Sequence, residues 1–281
     1  MKIQIKNMGN PNVLKTIEVK ENSNLYDIAK EIFKEDYKRY LAVKVNNRIQ
    51  DLTSDKYEEN DIIEFLSLQD KDGHRIYIRT LTFIFIKACR DLFGSYNVLI
   101  EHSLNKGLYT EFSNIDDVNQ EVIKKIRNRM NEIISMEKPI NQKQLAMKEA
   151  LEIFRRQGMT DKIELLEHLD SEYIRVYEID GYYDNFYGYV APNTNVIHKF
   201  NLKLFYPGII INYPTKENNF ELPEYIEQRK LSKVFKEAES WGKIMDVGYV
   251  GALNNKIDDN NIYDLIRVNE ALHEKKIAYI A

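Results

Sequence analysis

Five histidines, one cysteine and a single Gly-Lys pair set the chemistry open to this chain. A loop that cradles phosphates for phosphoryl transfer needs a glycine five positions before Gly-Lys-Ser/Thr, because its backbone N–H groups wrap the anion while the lysine reaches the terminal phosphates. Here Gly242-Lys243 has Glu237 at that position, so kinase chemistry is not expected from these residues. Zinc hydrolysis needs imidazoles or thiolates at spacings such as H-x-x-x-H. His74, His102, His168, His198 and His273 share neither that spacing nor H-x-x-H. Asp258-Asp259, followed by Asn260-Asn261, lacks the glycine and glutamate of a calcium loop. Cys89 lies among Phe85, Ala88 and Leu92 and reads as a core residue.

The 281 residues allow two domains, and 43% hydrophobic content with 30% charge is that of a folded globular chain. A net charge of −4 provides no global field for a phosphate backbone, so nucleic-acid contact would need a local patch. Lys124-Lys125 with Arg127 and Arg129 is one such patch, and Arg155-Arg156 another; both read first as solvated helix faces. Met1-Lys2-Ile3-Gln4-Ile5-Lys6 alternates like a strand, and no apolar run approaches the ~20 residues that cross a bilayer. No membrane partner is expected, and the expected location is cytoplasmic.

Residues 1–67 read as one small unit. A strand at Ile3 and Ile5, a turn at Gly9-Asn10-Pro11-Asn12 and a strand over 13–19 precede a helix that Ser23 or Asn24 can cap. Leu25, Ile28, Ala29, Ile32 and Phe33 share one face of that helix. Strands follow at 41–45 and 61–66, with a turn at Asn46-Asn47. This ββαββ order is that of a ubiquitin-like β-grasp, so the fold class is α+β.

Residues 68–225 read as a second domain. Asp70-Lys71-Asp72-Gly73 is a polar joint, and 78–93 a helix with Leu81, Ile84, Phe85, Ala88 and Leu92 as its buried stripe. A hairpin runs from Asn97 to His102, through Asn105-Lys106-Gly107, to Phe112. A long helix spans 115–136, facing inward with Val118, Val122, Ile126, Met130 and Ile133. A helix at 149–154 stops at Gly158, a short helix covers 162–166, and strands cover 173–179 and 201–206. Residues 226–281 form a helical joint, with helices at 229–240 and 264–280 separated by the stretch 247–255.

Two segments carry a family resemblance. Arg79-Thr80-Leu81-Thr82-Phe83 on a helix and Phe186-Tyr187-Gly188-Tyr189-Val190 on a later strand resemble the paired metal-ligand segments, H-x-x-x-H and C-x-x-x-H, of the threonyl-tRNA synthetase editing domain. Leu108-Tyr109-Thr110-Glu111-Phe112 resembles the G-F-Y-Y-D-F strand of the same domain, and residues 1–67 resemble the TGS docking module that precedes it. The ligand positions match Arg79, Phe83, Phe186 and Val190, none of which binds zinc. The resemblance therefore implies an editing-like domain whose metal site is degenerate.

Val250, Gly251, Leu253 and Asn254, with Asn269 to Ala278, extend the resemblance over the whole chain. Together they resemble the N-terminal half of a bacterial uridine-kinase-family nucleoside kinase. That implies a P-loop kinase domain following in cis, which would supply ATP and Mg chemistry; no cofactor is expected in the residues at hand. The apolar stripe Leu265, Val268, Ala271, Leu272 and Ile277, with no helix stop after Arg267, fits a chain cut short before that domain.

An arginine beside aromatic rings suits a ligand with a flat body and an anionic group. The resemblance sets Arg79 opposite Tyr182, Tyr183, Tyr187 and Tyr189, and places the hairpin of His102 and Lys106 alongside. Arg79, His102, Lys106 and Tyr187 are thus the expected contacts to a nucleoside, a nucleotide or a tRNA 3′ end. Aromatic filling of a lost metal site is the other reading, since alternation sends Tyr182, Asp184 and Phe186 to one sheet face and Tyr183, Asn185 and Tyr187 to the other. The leading expectation is a non-catalytic binding and regulatory region; the alternatives are a metal-independent aminoacyl-tRNA deacylase and an RNA- or ribosome-docking module.

Overall fold

Alternating and helical apolar patterns resolve into twelve strands and eight α-helices in the computed structural model, which describes residues 1–6, 14–20, 23–94, 98–104, 106–112, 118–224, 226 and 228–281. In chain order these are β1 (Lys2–Lys6), β2 (Leu14–Glu18), α1 (Leu25–Phe33), β3 (Tyr40–Val45), β4 (Arg48–Gln50), β5 (Ile62–Ser67), α2 (Lys71–Phe93), β6 (Val98–Leu104), β7 (Gly107–Phe112) and α3 (Gln120–Ser135). There follow β8 (Asn141–Ala146), α4 (Met147–Arg156), α5 (Thr160–Glu167), β9 (Tyr173–Ile179), β10 (Tyr182–Asp184), β11 (Asn201–Phe205), β12 (Gly208–Asn212), α6 (Arg229–Ile244), α7 (Val250–Asp258) and α8 (Ile262–Ile280). The chain divides into two compact units, Met1–Leu145 with Arg175–Ile226 and Ala146–Ile174 with Glu227–Ala281.

In the first unit β1 to β5 form one sheet of order β2-β1-β5-β3-β4, with β1 parallel to β5 and the other pairs antiparallel. That is the β-grasp arrangement, and Leu25, Ile28 and Ala29 of α1 fill its concave side against Ile3, Val43 and Phe65. Asn24 caps α1 through its side chain, accepting from the Asp27 N–H at 2.8 Å. Asn46 and Asn47 both take positive φ in the β3–β4 turn. The turn expected at Gly9–Asn12 lies outside the described residues.

Helix α2 begins seven residues before its expected start. Asp70-Lys71-Asp72-Gly73 is not a joint: Asp70 holds the preceding turn by accepting from the Ser67 N–H (2.7 Å) and hydroxyl (3.1 Å), and residues 71–73 are already helical. Gly73 is required there, because a Cβ would meet the Ser67 carbonyl oxygen at 1.8 Å. Leu81, Ile84, Phe85, Ala88 and Cys89 are buried, and burial pushes the Cys89 thiol well up. Leu92, expected in that stripe, is exposed near the helix end. The main core joins this face of α2 to Ile123, Ile126, Met130 and Ile133 of α3, to Ile209 and Ile211 of β12, and to Leu41 and Leu66 of the β-grasp sheet. Helix α3 runs from Gln120, where Asn119 caps it by accepting from the N–H groups of Glu121 and Val122, and Val118 is buried ahead of it; the expected start at 115–117 lies outside the described residues.

A four-stranded sheet, β11-β12-β7-β6, packs on α2 and α3, and a three-stranded sheet, β10-β9-β8, carries the aromatic segment. Strands β4, β8 and β12 were not anticipated. In the second unit α4 ends in a left-handed Gly158 (φ 70°), as expected, with the Gly158 and Met159 N–H groups donating to the Arg155 and Phe154 carbonyls. The stretch 247–255 is not a separator: from Val250 it is helix α7, packed on α5. Gly251 allows this approach, since a Cβ there would lie 2.9 Å from Glu164 Cβ. Tyr249 donates to both Glu164 carboxylate oxygens, and His168 bonds to Asn255 Oδ1 at 2.8 Å. Among the described residues no helix is long and apolar enough to cross a membrane.

Candidate functional site

A face of α2 beside its core stripe presents Arg79, Thr80 and Phe83 to the stretch 186–191. One i, i+4 step on the helix stacks Arg79 above Phe83. The stretch they meet is not a strand: β10 ends at Asp184, and Gly188 turns the chain with φ 117°. Glycine adopts that conformation readily where other residues do not, and a Cβ at 188 would lie 2.7 Å from Arg79 Cζ and 2.9 Å from both terminal nitrogens, so the guanidinium would have to shift to admit one. Further along, Thr80 Oγ1 accepts from the Ala191 N–H at 3.0 Å and donates to the Ile76 carbonyl at 2.8 Å, which fixes the loop to the helix.

The four positions matched to metal ligands therefore converge. Phe83 is fully buried and meets Phe186 edge to face at 5.3 Å and Tyr182 at 5.9 Å, while Val190 is buried next to the Thr80–Ala191 bond. The space a zinc ion would need is filled by ring on ring. These residues do not fit a metal, and among the described residues no group of three or more His, Cys, Asp or Glu is placed to hold one. His74 instead contacts the Pro214 carbonyl at 2.8 Å.

Arg79 keeps its charge in a setting that does not neutralise it. Burial lowers its pKa, the neighbouring Arg75 charge lowers it further, and Tyr177 and Asp72 act the other way. Among the described residues it makes no ion pair and no side-chain hydrogen bond. Beside it stands Tyr177 of β9, fully buried, with its phenol pushed up to about 12 mainly by burial. The Tyr177 hydroxyl lies 3.3 Å from both the Gly188 carbonyl and Gln142 Oε1.

Arg175, two residues earlier on β9, lies by the same hydroxyl and stacks over the Tyr189 ring at 4.3 Å. It too makes no ion pair among the described residues, although the buried Asp51 feels its charge. Burial raises the Asp51 carboxyl, and hydrogen bonds from the Thr53 hydroxyl and N–H hold it partly down. Two guanidinium groups thus flank one buried phenol, with a glycine carbonyl and a tyrosine ring at the edge. Neither Arg175 nor Tyr177 was singled out by sequence. An isolated arginine in a strand carries no periodic signal, and the spacing 175, 177 could have flagged a shared face only once β9 was paired to the loop.

The remaining expected contacts are dispersed around this centre. Tyr187 follows Phe186 into the loop and is fully exposed. His102 of β6 packs on the buried Tyr109 at 5.3 Å, and Tyr109 meets Phe205 at 5.6 Å. Lys106 occupies the β6–β7 turn with φ 57° and is exposed; Asn105 lies outside the described residues. Tyr182 and Asp184 are buried, whereas Tyr183 is reached by Lys143 at 3.0 Å, so the expected split of the aromatics between two faces is present. Of the basic helix faces, Arg129 pairs with Asp91 and Glu132, Lys125 with Glu121, and Arg155 with Glu167.

The chain is similar to threonine–tRNA ligases. Those of Francisella tularensis subsp. novicida strain U112 and subsp. tularensis strain FSC 198 are each 25% identical over 185 residues, and that of subsp. holarctica strain LVS is 24% identical over the same length. Each match covers 66% of this chain and 29% of the relative, so the chain spans under a third of the length of these proteins. No family model matches.

Proposed function

We propose that this region recognises an anionic, nucleotide-like ligand in a cleft built on the frame of a synthetase editing domain, without metal hydrolysis. One observation carries the reading: the Arg79 guanidinium, half-buried and seated on Gly188, holds its charge with no acidic partner among the described residues. A desolvated guanidinium forms strong, directional bonds to phosphate or carboxylate. Arg175 adds a second such group and Tyr189 a ring face, which together suit a phosphate attached to a flat base. His102, Lys106 and Tyr187 remain candidates for the outer contacts.

In the whole protein we place this region ahead of a kinase domain of the uridine-kinase type, which would use ATP and Mg. The sequence of the helical segment, Val250, Gly251, Leu253, Asn254 and Asn269 to Ala278, supports that placement. On this reading the three parts 1–67, 68–225 and 226–281 are a TGS-like module, the recognition cleft and the link to catalysis, and the cleft senses the nucleotide pool or positions substrate. The test is calorimetric titration with UTP, ATP, uridine and a seryl-adenosine analogue, repeated on Arg79→Ala. Binding that needs both the phosphate and Arg79 supports the proposal; binding indifferent to both contradicts it.

The likeness to threonine–tRNA ligases favours a second reading, an aminoacyl-tRNA deacylase acting without metal. Asp184, buried on β10 just before the loop, is the carboxylate assigned to it as a base. Release of free serine from seryl-tRNA, abolished in Asp184→Asn, would establish that reading over the first.

A further inference from the structure

We infer a second small-ligand site, distinct from the Arg79 cleft, in a pocket of about 130 Å³ between the β-grasp sheet and the start of α2. Its ligand class is a small organic acid with a compact apolar body. Three features carry this.

The floor is apolar and rigid. Leu41 and Tyr77 are buried there beside Val196 and Leu68, and the Tyr77 hydroxyl is already used, donating to the Lys199 carbonyl at 2.7 Å and accepting from the Lys199 N–H at 3.0 Å. The pocket therefore offers its interior to carbon, not to polar atoms. Its volume is well under the ~300 Å³ at which drug-sized sites begin, so the body is the size of one ring or a branched chain.

The rim is polar and holds one permanent cation, Arg39; partial burial lowers the pKa of His198 and favours its neutral form. Arg39, Gln69 and His198 stand exposed at the mouth. The nearest carboxylate to Arg39 is Asp36, at a loose 3.8 Å, which leaves the fork open to a ligand. Of the other acids nearby, Asp70 is engaged by the Ser67 N–H and hydroxyl, and Glu221 by Lys199. An anionic head on an apolar body matches this division.

One wall is held in a strained backbone. Phe220 lines the pocket with φ 58°, and Asn219 before it has φ 51°. A bulky residue in the left-handed region is strained and persists only where its surroundings fix it. Here they do: the Phe220 N–H donates to the Thr215 carbonyl at 2.8 Å, Asn218 Nδ2 donates to the Leu222 carbonyl at 2.7 Å, and Glu221 pairs with Lys199. A glycine would relax the turn and lose the ring; the chain keeps the ring at the pocket.

The test uses the whole chain and ¹⁹F NMR with two probes, 4-fluorobenzoate and 4,4,4-trifluorobutyrate, with 4-fluorobenzamide as the uncharged control. At least one acid should bind saturably, with the amide at least fivefold weaker. Arg39→Gln, on the surface, should weaken the acid at least fivefold, and Phe220→Gly severalfold, while circular dichroism stays unchanged. Lys56→Gln should leave binding as it was. No saturable binding of either acid, or affinity that ignores both the charge and Arg39, overturns the site. Arg79→Ala separates it from the cleft: unchanged acid binding there places the probe in the pocket, and loss there reassigns the probe to the cleft and overturns the inference.

Discussion

Arg79 and Gly188 are fitted to each other: the guanidinium carbon lies where a side chain at 188 would begin, 2.7 Å from the position of its Cβ. Residue 188 takes a backbone conformation that favours glycine, and the guanidinium lies directly over it. Recognition and loop geometry are therefore one feature. Gly188→Ala should destabilise the fold by about 1–3 kcal/mol, since it adds both strain at φ 117° and a clash. Urea unfolding measures the loss, and nucleotide affinity should fall with it as Arg79 is displaced.

Truncating the arginine itself should separate binding from stability. Arg79→Ala removes a group with no ion pair among the described residues, so unfolding should shift by less than about 1 kcal/mol. Ligand affinity should drop tenfold or more, as expected for the loss of a charge-assisted bond worth roughly 1.5–3 kcal/mol. Calorimetry and thermal unfolding on one preparation read both quantities.

Restoring the ligands should restore the metal. Phe83 and Phe186 already touch, Arg79 lies one helix turn before Phe83, and Val190 is buried in the same loop. A variant with Arg79→His, Phe83→His, Phe186→Cys and Val190→His should bind one zinc ion, with retention on gel filtration read by atomic absorption. The parent chain should bind none in the same assay.

The pair Lys44–Asp72, 2.7 Å apart, ties β3 to α2 and sets a pH dependence. The hydrogen bond from Lys44 lowers the Asp72 carboxyl, so its contribution is present above the unfolded carboxyl value near ~3.9 and is lost as pH falls through the folded value. The same bond raises Lys44, so that contribution is complete below roughly pH 10.4 and is lost as pH rises through its folded value. Lys44→Met should reduce stability by at most about 1 kcal/mol at neutral pH and flatten the acid limb. Urea midpoints from pH 3 to 7 measure it.

Much of this was legible in the sequence, and for identifiable reasons. The i, i+4 spacing of Arg79 and Phe83 fixed them on one helix face, and the resemblance supplied their partners across the chain. The start of α2 was missed because the Asp70 side chain is spent on the preceding turn, accepting from Ser67, and Gly73 looks like a break but serves a close approach. Helix α7 was missed for the same reason at Gly251. Arg175 and Tyr177 could not be found, since their role comes from strand pairing and not from local pattern. Leu92 kept the helical period, yet it sits at the end of α2 where the core has run out.

The most direct measurement is titration of UTP and uridine into the wild-type chain and into Arg79→Ala by calorimetry. UTP should bind saturably, uridine more weakly, and the UTP signal should fall tenfold or more in the variant. UTP failing to bind, or binding equally to both proteins, would contradict the proposed cleft.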